Sequence, residues 1–226
     1  MIMNKNIFVA CDVSSQKEIL ELLEKIHSQI SGIKIGLQYI TQHSPEEIRE
    51  LSKFNKPIFY DGKFFDIKNT LIESIKSLET LKVSYATVHL LNGFEALKAA
   101  GEEAKKINLK LLGVSVLTSF DNHELEKLGF KYDVEKQVLN LIKIAVETDL
   151  YGVICSPLEV KMIKKIAPNL KCFTPGIREN TENNDQKRTM SAKEALEAGS
   201  DCLIIGRPIT KGDPKKNIKN ILSSLN

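Results

Sequence analysis

Residues 57–78 read PIFYDGKFFDIKNTLIESIKSL, and the change of rhythm inside them decides the fold. Pro57-Ile58-Phe59-Tyr60 is a short apolar run of the kind buried in a parallel sheet. Leu71, Ile75 and Leu78 then recur at the three- and four-residue spacing of one helical face. Thr70 followed by Glu73 has the form of a capping box, which would open that helix. Further β-rich runs lie at 7–13, 33–37, 85–91, 111–117, 152–155, 172–175 and 202–206, making eight with 57–60. Between them helical periodicity returns, as in Ile19, Leu22, Leu23, Ile26 and Ile30. Ser15 with Glu18 and Ser191 with Glu194 repeat the capping-box pattern, and Gly199 would stop the last of these helices. Eight strand-helix units predict an α/β fold, a single (β/α)8 TIM barrel over residues 1–226. A doubly wound open sheet is the competing arrangement.

Composition restricts the class of function. A content of 42% hydrophobic and 27% charged residues is ordinary globular usage and excludes disordered and fibrous chains. The balance of 32 basic and 29 acidic residues gives +3 with no basic tract, so a small-molecule partner is expected rather than nucleic acid. Residues 1–11 hold too short an apolar run for a signal peptide. The longest uncharged stretch, 83–94, falls short of the roughly 18–20 residues of a membrane span, so a cytoplasmic protein without a membrane partner is expected. Cys11, Cys155, Cys172 and Cys202 form no C-x-x-C pair and read as buried reduced thiols, with no metal site implied. The histidines at 27, 43, 89 and 123 lack ligand spacing; His89, in the run 86–91, reads as a satisfied core histidine.

In such barrels chemistry gathers at the C-terminal ends of the strands. Asp12 ends the first run, Lys34 lies on the second, Asp61 and Lys63 follow the third, and Thr118 and Ser119 follow the fifth. Asp61, Lys63 and Asp66 form an Asp-x-Lys-x-x-Asp array. Residues two apart on a strand share a face, so Asp61 and Lys63 are expected to point the same way. A Lys between carboxylates keeps its proton and can serve as a fixed cation and proton donor. Singly, Asp12 could cap a helix and Lys34 could snorkel to solvent. Four ionisable groups at one end of one barrel point instead to a site.

The C-terminal third carries Pro175-Gly176-Ile177-Arg178, Asp185-Gln186-Lys187-Arg188 and Ile205-Gly206-Arg207-Pro208, holding three of the chain's four arginines. Arginine's planar fork suits phosphate, and Gly206 would let backbone N–H groups approach an anion. The loops after strands seven and eight are where this fold commonly binds phosphate. Arg188 itself reads as a solvated loop residue. The segment 179–189 contains no apolar residue and is expected to be a mobile lid.

Taken in order, these segments resemble the orotidine 5'-phosphate decarboxylase family, whose D-x-K-x-x-D-I-x-N-T signature stands at Asp61 to Thr70. The likeness runs from Ala10-Cys11-Asp12 to Asp213-Pro214 and includes the P-G-I-R, D-Q-x-R and I-G-R-P segments. It implies decarboxylation of orotidine 5'-monophosphate to UMP with no metal and no organic cofactor. Lys34, Asp61, Lys63 and Asp66 would form an alternating array, with Lys63 protonating the carbon that loses CO2. Asp12 and Lys34 would hold the ribose hydroxyls, and Thr118 or Ser119 would touch the pyrimidine. Arg178, Gln186, Gly206 and Arg207 match phosphate-binding positions, while Asp66, Ile67 and Thr70 would reach the partner's site in a homodimer. The chain departs from the common pattern at Gly62, Phe65 and Lys68, which leaves the rigidity of that loop open. Two other readings remain. One is the magnesium-dependent hexulose-phosphate synthase and keto-gulonate-phosphate decarboxylase group, which carries a Glu in the place of Lys34. The other is a non-catalytic nucleotide-binding sensor, which would not need a charge cluster that costs stability.

Overall fold

A computed structural model describes residues 6–178 and 188–225. Within them the chain forms β1 (Ile7–Ala10), β2 (Gly32–Gly36), β3 (Ile58–Phe64), β4 (Tyr85–His89), β5 (Lys110–Val114), β6 (Gly152–Ile154), β7 (Lys171–Thr174) and β8 (Cys202–Ile205). Every neighbouring pair is parallel, and β8 pairs back onto β1. The sheet is therefore a closed barrel in sequence order, not an open doubly wound sheet. Helices follow the strands: α1 (Gln16–Ile26), α2 (Leu37–Ile40), α3 (Pro45–Glu50), α4 (Lys68–Ser77), α5 (Phe94–Lys106), α6 (Asn122–Lys127), α7 (Val134–Glu147), α8 (Val160–Ile166), α9 (Ala192–Glu197), α10 (Arg207–Thr210) and α11 (Pro214–Ser224). No helix among the described residues is long and apolar enough to cross a membrane.

Alternation along the strands separates two cores. Ile7, Val9, Ile33, Ile35, Ile58, Val153 and Leu203 face outward and pack against the helices, while Phe8, Ala10, Phe59, Tyr85, Leu112, Phe173 and Ile204 fill the barrel. Phe8 makes edge-on contacts with Tyr85 at 5.4 Å, Phe173 at 6.1 Å and Phe59 at 6.3 Å, an aromatic plug beneath the site. The same parity that turns Phe59 inward turns Asp61 inward one step nearer the C-terminal rim.

Helix starts differ in how they are held. Ser191 and Glu194 form a complete capping box, whereas Ser15 accepts from the Glu18 N–H alone. The expected box at Thr70 is not formed: α4 begins at Lys68, with Ile67 at its N-cap and no side chain satisfying the first turn. Thr70 is thus already inside the helix, because the preceding loop is short and is fixed by Asn92 in the turn that follows β4. The oxygen of Asn92 accepts from the Asp66 N–H, and its amide donates to the Phe64 and His89 carbonyls. The four cysteines are buried and unbridged.

Candidate active site

β3 does not run as a regular strand through its charged end. Tyr60 pairs with Ala86 and Phe64 with Val88, so Asp61, Gly62 and Lys63 together face the single residue Thr87. Lys63 takes a left-handed backbone, φ +48°, which is unusual for a residue with a side chain. The Lys63 ammonium meets Asp61 at 2.8 Å, but through this bulge and not through the simple two-residue repeat that the sequence suggests. Gly62 has a steric reason: a Cβ there would lie 2.8 Å from the Tyr60 ring, which stacks on Phe64.

Lys34 completes the cluster from β2. Only 7% exposed, it sits 3.3 Å from Asp61 and 3.3 Å from Asp12. It is therefore buried among carboxylates and does not snorkel to solvent. Burial disfavours its ammonium, yet Asp61 and Asp12 outweigh burial and raise its pKa above the usual lysine value. Asp61 shows the opposite balance: burial pushes its carboxyl up, but Lys34, Lys63 and a hydrogen bond from Thr87 hold it below the usual aspartate range. Asp61 thus lies between two lysines, with Lys34 and Asp61 buried and Lys63 partly exposed. His89, half-buried at the end of β4, has its pKa lowered by burial and by Lys63.

Asp12, Lys34, Asp61 and Lys63 line one wall of a cavity of about 710 Å³ at the C-terminal end of the barrel. Its other walls include Val116, Leu117 and Thr118 after β5, Pro175, Gly176 and Arg178 after β7, and Gly206, Arg207 and Lys211 after β8. Gly176 has φ +79°, a turn that a side chain would strain, and it brings Arg178 back to the rim. There the Arg178 N–H donates to the Met190 carbonyl and the Met190 N–H to the Gly176 carbonyl. Of the residues singled out in sequence, Asp12, Lys34, Asp61, Lys63, Thr118, Arg178, Gly206 and Arg207 border this one cavity. Asp66, Ile67 and Thr70 do not. Asp66 and Thr70 are exposed and Ile67 is 74% exposed, on a rim that also carries Phe65, Leu91 and Phe94. Gln186 and the segment 179–187 lie outside the described residues.

Arg188 requires a correction. It is not solvated: its guanidinium pairs with Glu159 and donates to the carbonyls of Leu117 at 2.9 Å and Val116 at 3.3 Å. Burial raises the Glu159 carboxyl above the usual glutamate range even with this arginine beside it. Thr87 and Asn92 were also missed. A threonine in a strand looks like ordinary β-propensity, and only the inward parity of Tyr85, Thr87 and His89 hinted at the first of them.

The chain matches the family model described as "Orotidine 5'-phosphate decarboxylase / HUMPS family" over residues 5–221. It is 37% identical over 221 residues to a protein of Wolbachia pipientis named orotidine 5'-phosphate decarboxylase, covering 97% of this chain and 98% of that protein. A protein of the same name from Dictyoglomus turgidum is 39% identical over 233 residues, covering 97% and 94%. The crystal structure of orotidine 5'-phosphate decarboxylase from Lactobacillus acidophilus superposes with a TM-score of 0.86 at 31% identity, covering 99% of this chain and all of that one.

Proposed function

The chain belongs to the orotidine 5'-phosphate decarboxylase / HUMPS family, and we propose that it converts orotidine 5'-monophosphate to UMP and CO2 with its own side chains alone. The observation that carries this reading is the Asp61 carboxylate held between two ammonium groups, Lys63 at 2.8 Å and Lys34 at 3.3 Å, in the wall of a nucleotide-sized cavity. Loss of CO2 from the pyrimidine leaves the bonding electron pair on the ring carbon, with no adjacent group to take it up. A fixed ammonium beside that carbon stabilises the pair as it forms, and the effect is greatest where water is excluded. Lys63 then gives its proton to the carbon and regains one from solvent. Lys34 and Asp61 keep the donor oriented and charged, and Asp12 with Lys34 binds the ribose hydroxyls. Thr118 meets the base, and Arg178, Gln186, Gly206 and Arg207 take the phosphate.

A metal-free reaction fits the donor set. Asp61 already has a cation on each side, and Lys34 would repel a divalent ion placed beside it. Asp66 is the fourth member of the array, and its exposed position outside its own chain's cavity fits a homodimer in which Asp66, Ile67 and Thr70 complete the partner's site. The apolar side chains of Phe65, Ile67, Leu91 and Phe94 around it are the kind of patch that an interface covers.

The test is turnover of orotidine monophosphate by purified protein, followed by ultraviolet absorbance in excess chelator. Turnover should be unaffected by the chelator. Its abolition would move the chain to the magnesium-dependent branch. Binding of UMP without turnover would make it a sensor.

A further inference from the structure

The proposed chemistry needs Asp61 and Lys63 in fixed relation, yet β3 is least regular between them. A strand residue at Lys63 would pair its N–H with a carbonyl of the neighbouring strand, and the bulge removes that partner because β4 offers only Thr87 opposite three residues. The Thr87 hydroxyl takes the carbonyl's place. Its Oγ1 accepts from the Lys63 N–H at 2.8 Å and donates its proton to Asp61 Oδ1 at 3.0 Å. The other Asp61 oxygen, Oδ2, is the one that meets Lys34 and Lys63. One fully buried hydroxyl therefore holds both the left-handed backbone of the lysine and the rotation of the carboxylate. Neither bond is available to an aliphatic side chain of the same shape.

We propose that Thr87 is a positioning residue of this site: its hydroxyl ties the Lys63 backbone to Asp61 and aims the lysine ammonium at the reacting carbon. The inference rests on the decarboxylase reading, in which that ammonium is the proton donor. Thr87 is fully buried and does not line the cavity, so its loss is expected to act on the chemical step and to spare the phosphate and ribose contacts. Valine preserves the volume and suits a strand; serine keeps the hydroxyl and loses only a methyl group.

The experiment compares steady-state kinetics of wild type, Thr87→Val and Thr87→Ser with orotidine monophosphate, each variant checked for folding by circular dichroism. Thr87→Val is expected to lower kcat about 10- to 100-fold with KM within about threefold. Thr87→Ser is expected to return kcat to within about threefold of wild type. Should the valine variant not fold, Thr87→Ala removes the same hydroxyl with the same expectation. A folded hydroxyl-free variant with kcat within about twofold of wild type would overturn the inference. So would equal impairment of the valine and serine variants, which would mean that Thr87 acts by filling space. If wild type itself shows no turnover, the decarboxylase reading fails first and the inference with it.

Discussion

At the scale of single residues, the distinction that matters is between charges that are paired and charges left buried alone. Arg188 and Glu159 are such a pair, and Glu159 also accepts from the Ser156 N–H at 2.9 Å. Arg188→Met strands the carboxylate in a dry site and is expected to cost about 3–5 kcal/mol of stability at neutral pH. Because burial already raises the Glu159 pKa, protonation relieves the loss as pH falls; urea unfolding at pH 7.5 and pH 4.5 should show the deficit narrowing on the acid side. Arg207→Ala is expected to act on binding: under the proposed phosphate role it should raise KM about 10- to 100-fold, and an unchanged KM would take Arg207 out of the phosphate site. Lys34, Asp61 and Lys63 were legible in the sequence because charged residues on apolar strand ends are conspicuous. Arg188 was not, because its partner lies 29 residues away and its neighbours in sequence are all polar.

At the scale of elements, strands were easier to read than the junctions between them. The continuous apolar runs of a sheet covered on both faces gave each strand to within a few residues, except that β3 extends through Asp61-Gly62-Lys63 to Phe64. The β3–α4 junction departed from local rules since tertiary contacts override them: Asn92 fixes the loop, and α4 starts before the Thr70 pattern that should have opened it. At the opposite face, Asp201, just before β8, is held by three donors from α8 and β7. Its carboxylate accepts from Lys164 of α8 at 2.6 Å, Lys171 of β7 at 3.0 Å and the Cys172 N–H at 2.8 Å. Burial works against this carboxylate, but these donors outweigh it and lower its pKa. A depressed carboxyl stabilises the fold above its unfolded pKa, near 4, and loses that contribution as pH falls through the folded value. Asp201→Asn is therefore expected to cost about 1–3 kcal/mol at pH 7, and thermal melts of the two proteins should converge at strongly acid pH.

At the scale of the molecule, closure of the barrel carries Asp12, Lys34, Asp61, Thr118, Arg178 and Arg207, spread over nearly 200 residues, to one cavity. Strand count and order implied that convergence; no local segment did. In the proposed mechanism the fourth charge of the array comes from the partner subunit. Asp66 lies on the rim outside its own cavity, so mixing Lys63→Ala chains with Asp66→Ala chains should restore part of the activity absent from each alone, and verified heterodimers without recovery would remove the shared site. The proposed reaction depends most directly on Lys63. With saturating orotidine monophosphate and excess chelator, wild type should release CO2 and form UMP, and Lys63→Ala should turn over about ten-thousandfold more slowly or worse while still binding UMP. Turnover by Lys63→Ala within about tenfold of wild type would contradict a lysine proton donor held by Asp61.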